Sequence, residues 1–576
     1  MFSPSLISIM FHTFDPEARF TLTPARFKTT KEIADALTRL ISQFPSSNRT
    51  VPVVGKTRRS RKELEDNFAT LPGPSPNVTA EPGDPFMTFW GRLQLERLVR
   101  YFAQYHDTES SFEYLDLGTP VFLLGSGSPQ DQECARLLPF SGDPPAAGGS
   151  ATVGAAIIDM GEQGAPGTLP DSYGGQLRHV VTRDISLSDH AEKVLSILLN
   201  RLQSNGDLGV TTVSCALIRP PTGFIGTGLP AFDQACTPEM LTAIAALEPH
   251  LTADGLPAAV NMSLGTHVGP HNGESPLEEY IATTLSKTDR YLVVAAGNEG
   301  GVGHSAKCAL EADEPEFLNV TTGPLCTELL VEFWWEDSGS ANPLVDLSIE
   351  VDIWETVIAA GTVTRTNHGT LQVDSTTAGT LLSRAPAGLP TSMVMHSLFS
   401  TRCQKNFSCA AFAISSTAGI TLPVLQVTLK LLAKRQVMMN GWIVVAEADP
   451  LTGSTGFVEG GAEGNITVPA SDPTVLSVAG LDSSGKIWKR SSRGPAAHYD
   501  TVRPRTNSPL MAHLSHLGSD FGTSFASPRA CADAVGTLAN VAKRSGCTNA
   551  ESLLRATYPT SLAVWNSRFG FHKQLT

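Results

Sequence analysis

Apolar runs that end in small or polar residues recur between residues 150 and 300 of the chain. The runs VGAAIID, VTTVSCALI, AAVNMSLG and YLVVAAGNEG alternate with segments of helical periodicity. Continuous apolar runs are typical of strands buried on both faces, and their alternation with helices is typical of a parallel sheet. We therefore predict an α/β core in which a parallel sheet is flanked by helices. In such sheets, ligand-binding groups gather at the carboxyl ends of the strands.

A different pattern extends from residue 311 to residue 465. Short runs of alternating apolar and polar residues are separated there by Gly, Pro, Asp and Asn; they include ELLVEFWWED, DLSIEVDIW, GTLQVDSTT, LQVTLKLLA and GWIVVAEAD. Alternation predicts half-buried strands, and helical periodicity is missing. We predict an inserted antiparallel β-sandwich of the jelly-roll type. Trp334 and Trp335 are expected to be neighbours of which one lies in the core and one at the surface.

The N-terminal region combines helical spacing with Pro-rich breaks. Leu95, Leu98 and Val99 recur at helical spacing, whereas the stretch from Leu71 to Pro85 is predicted to be a loop. The stretch from Ser141 to Ser150, rich in Gly, Ala and Pro, is predicted to be a linker. The predicted domains are an α+β N-terminal region (1–145), the first part of the α/β core (150–310), the inserted sandwich (311–465) and the second part of the core (466–576).

Composition restricts the partners and the compartment. A net charge of -14 and a pI near 5.5 argue against binding to nucleic acid or to an anionic membrane, since both need clustered Lys and Arg. No apolar run is long enough to span a bilayer, and the first residues lack a basic leader and a cleavage site. The 9 cysteines are scattered without metal-ligand spacing, which favours reduced thiols. We expect a cytoplasmic protein.

Three polar residues stand where nucleophilic catalysis needs them. Asp159 ends a buried run, where a carboxylate without a partner would be unfavourable. His190 opens an amphipathic helical segment, and Ser524 follows a Gly-Thr pair ahead of an Ala-rich helix. Glycine permits a tight turn, Pro528 fits a first helical turn, and the positive end of a helix suits a nucleophile. An orienting carboxylate, a base and a nucleophile are therefore all available.

Asn298 supplies a fourth group. It ends the run VVAAG, and its side-chain amide is suited to donate to an oxyanion beside a backbone N–H at Ser524. Each residue also has a plainer interpretation, since a lone buried Asp, His or Ser is usually a hydrogen-bonded polar group and Asn often closes a turn. The combination of all four favours catalysis.

In this order the motifs resemble those of the subtilases, the subtilisin-like serine peptidases. AAIIDMG is similar to the family's aspartate motif, DHAEKVLSIL to its histidine motif, VNMSLG to its substrate-pairing strand, AAGNEG to its oxyanion motif and GTSFASP to its serine motif. The histidine motif departs from the family pattern, because Ala191, Glu192 and Lys193 stand where small residues are usual. The resemblance implies a subtilisin-like fold and hydrolysis of peptide bonds through an acyl-enzyme.

The resemblance also implies roles that the pattern alone does not assign. Ser263, Leu264 and Gly265 would bind the substrate backbone as an added strand, and Gly297 would border the pocket for the residue before the scissile bond. The inserted segment resembles the jelly-roll insertion of Csp-type germination proteases. No cofactor is expected; the family often holds structural calcium, but no ligand set is recognisable and no metal site is predicted.

Two alternatives stay open at this point. The N-terminal region is either a propeptide that occupies the cleft, with a cut in the linker, or a partner-sensing domain of a regulated intracellular processing or defence protease. The whole chain is either an active endopeptidase or a catalytically silent pseudoprotease whose fold binds or regulates a partner. The expected partners are a protein or peptide substrate and a regulatory protein bound through the N-terminal region or the insertion.

Overall fold

The structure is a computed structural model of the 576-residue chain, and its described residues divide into two compact units. The predicted linker at 141–150 lies outside the described residues. Described are some positions between 31 and 39 and the ranges 50–69, 76–80, 87–105, 112–117, 122–123, 153–163, 177–180, 185–204, 211–219, 236–286, 289–301, 303–323, 326–336, 347–359, 362–373, 393–404, 407–416, 424–447, 455–461, 463–482, 485–495, 509–517, 520–558, 562–566 and 570–573.

The helices and strands of the described residues are numbered in chain order. The helices are α1 (Arg61–Ala69), α2 (Leu95–Tyr105), α3 (Asp189–Ser204), α4 (Thr237–Asp254), α5 (Pro276–Thr284), α6 (Thr523–Ala539), α7 (Val541–Arg544) and α8 (Ala550–Thr557). The strands are β1 (Thr50–Thr57), β2 (Asn77–Ala80), β3 (Met87–Gln94), β4 (Phe112–Leu117), β5 (Phe122–Leu123), β6 (Val153–Gln163), β7 (Leu177–Val180), β8 (Ile185–Leu187), β9 (Thr211–Ile218), β10 (Ala258–Met262), β11 (Leu264–Gly265), β12 (Arg290–Ala295), β13 (Ser305–Leu310), β14 (Pro315–Thr321), β15 (Cys326–Glu336), β16 (Leu347–Ala359), β17 (Thr362–Val373), β18 (Met393–Gln404), β19 (Phe407–Ser416), β20 (Leu425–Ala433), β21 (Val437–Glu447), β22 (Gly456–Phe457), β23 (Leu476–Leu481), β24 (Met511–Leu514), β25 (His516–Leu517), β26 (Asp520–Phe521), β27 (Leu562–Asn566) and β28 (Gly570–Lys573).

The first unit comprises residues 1–120, 221–238 and 302–461. Its N-terminal part contains a four-stranded antiparallel sheet in the order β2-β3-β1-β4. Helix α2 covers the segment predicted from the spacing of Leu95, Leu98 and Val99, and all three side chains are buried. The stretch from Leu71 to Pro85, predicted as a loop, contains β2. Pairing with β3 supplies hydrogen bonds that so short a segment cannot make alone, and local turn signals do not reveal such a partner.

Residues 302–461 of the first unit contain the strands β13 to β22. These strands form two five-stranded sheets, in the orders β13-β21-β15-β19-β18 and β17-β16-β20-β14-β22, and every pair is antiparallel. One cluster of buried apolar residues draws on both sheets. Because β13 pairs with β21 along its whole length, the first strand of this inserted segment begins at Ser305, ahead of the boundary placed at residue 311 from the sequence.

The two adjacent tryptophans of β15 point to opposite faces, and both are buried. Trp335 is 1% exposed and belongs to the cluster shared by the two sheets. Trp334, one of a pair of which one was expected at the surface, is only 4% exposed, and its indole N–H donates to Oε2 of Glu332 at 3.0 Å. The reverse face of this sheet is therefore covered at β15, which alternation in one strand does not show.

The second unit comprises residues 121–220, 239–301 and 462–576. Its large sheet has the order β27-β28-β24-β23-β12-β10-β6-β9-β7, in which every pair is parallel except β27 with β28. Residues of α3, α6 and α8 pack with side chains of this sheet in one apolar cluster. The four apolar runs of the sequence form β6, β9, β10 and β12, so the site predicted at their ends belongs to this unit.

Two further observations concern the described residues of the whole chain. No described helix is both long and apolar enough to cross a membrane. The seven cysteines whose side chains are described are buried, and none of these seven forms a disulfide bond. Taken over both units, the fold is a mixed α/β structure with parallel and antiparallel sheets, and each unit is stabilised by an apolar core.

Candidate active site

Asp159 and His190 are in direct contact. Asp159 lies on β6 directly after Ile158, where the parallel pairing with β10 ends, and its side chain is fully buried. Its Oδ1 lies 2.9 Å from Nδ1 of His190 and also accepts the Met160 N–H at 2.7 Å. A carboxylate at Nδ1 favours the tautomer that carries its proton there, so that Nε2 is left as an acceptor. This is the arrangement that a general base needs.

A serine at the start of α3 holds His190 against β6. The Ser188 hydroxyl accepts the Ala191 N–H at 3.1 Å and donates to the Met160 carbonyl at 2.8 Å. One side chain therefore caps the helix and joins it to the strand of Asp159. The signal was present in the sequence, since serine is a preferred residue ahead of a helix.

Ser524 is the second residue of α6 and is fully buried. Its Oγ donates to the Ser263 carbonyl at 3.2 Å, and the Ser263 hydroxyl donates to the Ser524 carbonyl at 3.0 Å. The Asn261 amide nitrogen donates in turn to the Ser263 hydroxyl at 3.0 Å. The candidate nucleophile is therefore bound on both its hydroxyl and its carbonyl by the residue that precedes β11.

Pro528 explains why the Ser524 carbonyl accepts a hydrogen bond from Ser263. It was predicted in the first helical turn, but it is the sixth residue of α6 and lies inside the helix. A proline has no N–H to donate to the carbonyl four residues earlier, which here is the Ser524 carbonyl. The Ser263 hydroxyl supplies the missing hydrogen bond. The proline thereby leaves the Ser524 carbonyl free to accept the hydrogen bond that joins the nucleophile segment to Ser263.

Ser524 and His190 are not joined by a hydrogen bond in this structure. Nε2 of His190 is buried and has no hydrogen-bond partner among the described residues, because the Ser524 hydroxyl is directed to Ser263. The imidazole is nevertheless close to the nucleophile segment, since the ring centroids of His190 and Phe525 are 6.2 Å apart. Rotation about the Cα–Cβ bond of Ser524 releases Oγ from Ser263. Hydrogen bonds between nucleophile and base are often incomplete when no substrate is bound.

Asn298 follows β12 and presents its amide to the start of α6. Its Oδ1 accepts the backbone N–H of Thr523 at 2.9 Å and the Thr523 hydroxyl at 3.0 Å. The Thr523 Oγ1 in turn accepts the Gly297 N–H at 3.1 Å. Because Oδ1 is occupied by Thr523, the Nδ2 of Asn298 is directed elsewhere, as the donor to an oxyanion must be.

Gly297 has no room for a side chain. Its φ of 116° is a conformation that favours glycine. A Cβ atom there would lie 2.6 Å from Oε2 of Glu299, 2.6 Å from Oγ of Ser492 and 2.9 Å from Cγ2 of Thr467. The residue expected to border a substrate pocket is therefore fixed as glycine by its surroundings.

The strand expected to bind substrate already has a partner. Leu264 and Gly265 form β11, which pairs antiparallel with β5, so that Leu264 is opposite Leu123 and Gly265 is opposite Phe122. Added-strand binding of a peptide uses the same type of backbone pairing. Two residues of the chain's own N-terminal region therefore take the place that the resemblance assigns to a substrate.

Two residues beside Asn298 were not assigned from the sequence. Thr523 fixes the orientation of the amide across a separation of 225 residues. Oε2 of Glu299 accepts the Asn298 N–H at 2.6 Å and the Ser492 hydroxyl at 3.1 Å, and it lies 3.0 Å from Nε2 of His267. Both residues belong to the quoted serine and oxyanion motifs, which is the sequence signal that could have identified them. The contacts of Thr523 with Asn298 and of Glu299 with Ser492 join residues that are far apart in the chain.

A cysteine next to the Asp–His pair does not compete with the serine. Burial, with a smaller contribution from the charge of Asp159, raises the pKa of Cys215 to about 12. A thiol with this pKa stays protonated at neutral pH and is a poor nucleophile. Within the described ranges, no group of three or more His, Cys, Asp and Glu side chains is arranged to hold a metal ion.

Similarity to known proteins is confined to solved structures. No protein-family model matches the chain, and no curated protein matches it. The CspB protease of Clostridium perfringens is similar at 16% identity with a TM-score of 0.46, over 67% of this chain and 83% of that chain. The epidermin leader peptide processing serine protease EpiP of Staphylococcus aureus is similar at 11% identity with a TM-score of 0.36, over 91% of this chain and 96% of that chain.

Proposed function

We propose that the chain is a subtilisin-like serine endopeptidase that hydrolyses peptide bonds through an acyl-enzyme. The observation that carries the proposal is the 2.9 Å contact of a buried carboxylate with Nδ1 of His190, whose other ring nitrogen has no hydrogen-bond partner among the described residues. A serine at a helix N-terminus and an amide with an orientated donor accompany this pair. Together they match the parts that acyl transfer needs.

In the proposed mechanism, Nε2 of His190 takes the proton of Ser524 as Oγ bonds to the substrate's carbonyl carbon. Asp159 holds the imidazole in place and stabilises the imidazolium that forms. The proton then passes from Nε2 to the leaving amine as the peptide C–N bond breaks. In the second half of the reaction, Nε2 takes a proton from the attacking water and returns it to Oγ as the bond between Oγ and the acyl carbon breaks. Asn298 Nδ2 and a backbone N–H at the start of α6 donate to the oxyanion.

Substrate would bind as a strand on β11. The backbone groups of Leu264 and Gly265 would pair with the residues before the scissile bond, and Gly297 would border the first side-chain pocket. The existing antiparallel pairing of β5 with β11 supports this assignment, because β5 is paired with β11 in the way that an added strand would be.

A fluorophosphonate probe, which reacts with activated serines, tests the proposal on the full-length chain. We expect covalent labelling of the peptide that contains Ser524, followed to completion because this side chain is fully buried. Ser524→Ala should abolish the label, and mass spectrometry of the digested protein locates it. Equal labelling of the parent and the Ser524→Ala variant would exclude the assignment.

A second candidate is a catalytically silent protein that uses the same fold for binding. The observation in its favour is that the Ser524 hydroxyl is directed to the Ser263 carbonyl, so that no hydrogen bond joins it to His190. If this arrangement is permanent, the parent chain should remain unlabelled by the probe while it is folded. Complete resistance to labelling, together with unchanged partner binding in Ser524→Ala, would favour this candidate over the peptidase.

A further inference from the structure

The helix of His190 carries a second polar residue that is buried. Lys193 follows His190 by three positions on α3, so both lie on one face of the helix. Its Nζ lies 3.2 Å from Oδ2 of Asp520, and the two side chains are only 4% and 3% exposed. Asp520 itself precedes Ser524 by four positions. The ion pair therefore connects the element of the proposed base with the segment of the proposed nucleophile.

The same face of α3 continues along the nucleophile segment. Ile197 packs with Leu517 and Phe525, and Nε of Arg201 donates to Oδ1 of Asp533 at 2.8 Å. These residues follow the buried lysine at intervals of four, which places them in one stripe of the helix. The stripe therefore has an ion pair at each end and an apolar contact between them. The pair of Lys193 is the one nearer to His190 along the helix.

Asp520 belongs to a short hairpin that is also held from α6. Its strand, β26, pairs with β25. The guanidinium of Arg529 on α6 donates to the carbonyl of Leu514 at 3.0 Å and to that of His516 at 2.9 Å. The hairpin is therefore joined to α6 by Arg529 and to α3 by Lys193.

Stability alone does not account for a buried ion pair at this place. Lysine and aspartate are rarely buried, and removing each ion from water is energetically unfavourable. Two apolar side chains of similar volume are often equally stabilising or better. A charged contact is, however, directional, so it specifies one relative position of the two segments that it joins.

We propose that Lys193 and Asp520 form a positioning pair for the reaction proposed above, on which this inference rests. The pair sets α3 against the hairpin, so that Nε2 of His190 meets Oγ of Ser524 when this hydroxyl leaves Ser263. Neither member of the pair touches the substrate or the reacting atoms. Because a misplacement of about 1 Å can reduce a rate roughly 100-fold, loss of the pair should lower the reactivity of the serine rather than the binding of a ligand.

The test measures fluorophosphonate labelling of the full-length chain at several probe concentrations, which separates the limiting rate constant from the apparent affinity. Lys193→Met and the double variant Lys193→Met/Asp520→Leu should each lose roughly 10- to 100-fold in the limiting rate constant, with little change in affinity. The double variant should regain the parent's melting temperature, since no buried charge is left alone, but not its rate. Arg201→Met, which removes the ion pair at the far end of the stripe, is the matched control. It should lower the melting temperature and leave the rate within a few-fold.

Each other outcome is decisive. A double variant that is labelled at the parental rate would show that the pair is only structural, and so would unfolding of both the single and the double variant. If Lys193→Met alone unfolds, the double variant decides. If the parent is not labelled, or if Ser524→Ala does not abolish its labelling, the proposed function is wrong and the positioning role is wrong with it. If the parent is labelled at Ser524 and the variants of Lys193 and Asp520 react at the parental rate, only the positioning role is wrong.

Discussion

The parallel sheet of the second unit and the antiparallel sheet of the inserted segment that contains β20 bury their strands in different ways. Strands β10 and β23 are buried at every residue, whereas β20 alternates between buried and half-buried residues along its length. Continuous burial is typical of a parallel sheet covered on both faces, and alternation is typical of a sheet with one face towards a core.

The difference extends to the polar side chains that each region buries. Near the strand ends of the parallel sheet, the fully buried Asp159, Asn261, Ser263 and Ser524 are all hydrogen-bonded to their neighbours. Buried polar residues of the inserted segment, such as Glu328 on β15, lie instead within a strand and outside the apolar cluster that its two sheets share. The candidate catalytic residues all belong to the parallel unit, so substitutions in the two regions should have separable effects.

The largest difference in effect is expected between a substitution of the candidate oxyanion donor and a substitution in the core of the inserted segment. Asn298→Ala should lower the rate of fluorophosphonate labelling by roughly 10² to 10³, the usual loss for one oxyanion donor. Leu429→Ala, at a fully buried position of β20, should instead reduce the free energy of unfolding by about 2–5 kcal/mol and leave labelling unchanged. Labelling rates and urea melts of the two variants measure both quantities.

Because Oδ1 of Asn298 also binds Thr523, a second variant separates the two contacts. Asn298→Asp retains an acceptor for Thr523 and lacks the N–H donor, so labelling should be slowed at least as much as in Asn298→Ala. Near-parental labelling of Asn298→Asp would mean that another group stabilises the oxyanion. Slow labelling of Leu429→Ala would mean that the two regions are not separable.

A smaller contrast should appear in the pH dependence of stability. Glu278 on α5 is fully buried, and its carboxylate accepts the Ser471 hydroxyl at 2.6 Å and the Ser275 N–H at 3.0 Å. Burial, followed by the charge of Asp472, raises the pKa of Glu278 to about 7. A carboxyl whose pKa is higher in the folded than in the unfolded state stabilises the fold fully below about pH 4.5, and this contribution declines as the pH rises through about 7.

We therefore expect the free energy of unfolding to fall between pH 5 and pH 8 by an amount on the order of 2–3 kcal/mol, and Glu278→Gln to remove most of this fall. Urea melts at the two pH values measure it. Glu279→Gln, on the same helix but less buried, should retain the parent's pH dependence. A Glu278→Gln protein whose stability still falls like that of the parent would place the titrating group elsewhere.

The smallest effect is expected when the inserted segment is removed. In the second unit, Asn465 Nδ2 donates to the Glu299 carbonyl at 2.9 Å, so the chain ends on either side of residues 302–461 lie close together. Replacing these residues by a short Gly/Ser linker should give a soluble protein whose Ser524 is labelled within a few-fold of the parental rate, since closing a loop depends weakly on its length. An insoluble or unreactive product, beside an active parent, would assign the segment to the catalytic core.

Much of the parallel unit was predictable because its signals are local. The apolar runs identify β6, β9, β10 and β12, and polar residues directly after such runs identify Asp159 and Asn298. A Gly-Thr pair ahead of an Ala-rich segment identifies the start of α6, although not the depth of Pro528 within the helix. Alternation likewise identifies β15, β16, β20 and β21 of the inserted segment.

The remaining features depend on partners that no local pattern encodes. Strands β18 and β19 lack a clear alternation of polar and apolar residues, and their hydrogen bonds come from the neighbours that they meet in the sheet. Lys193 was visible only as a departure from a motif, because Asp520 is 327 residues away. The two-residue strand β5 is too short for any periodicity, so its pairing with β11 could not be inferred.

That pairing makes part of the chain a tethered competitor for its own site. The backbone groups of Leu264 and Gly265 that β5 engages are unavailable to a second strand until β5 departs. Because β5 belongs to the same chain, its competition with a free peptide is intramolecular and does not weaken when the protein is diluted. Under the proposed function, a peptide would find the edge vacant only while β5 is away from it. Turnover would then be limited by how often β5 releases β11, whatever the intrinsic speed of the chemistry at Ser524.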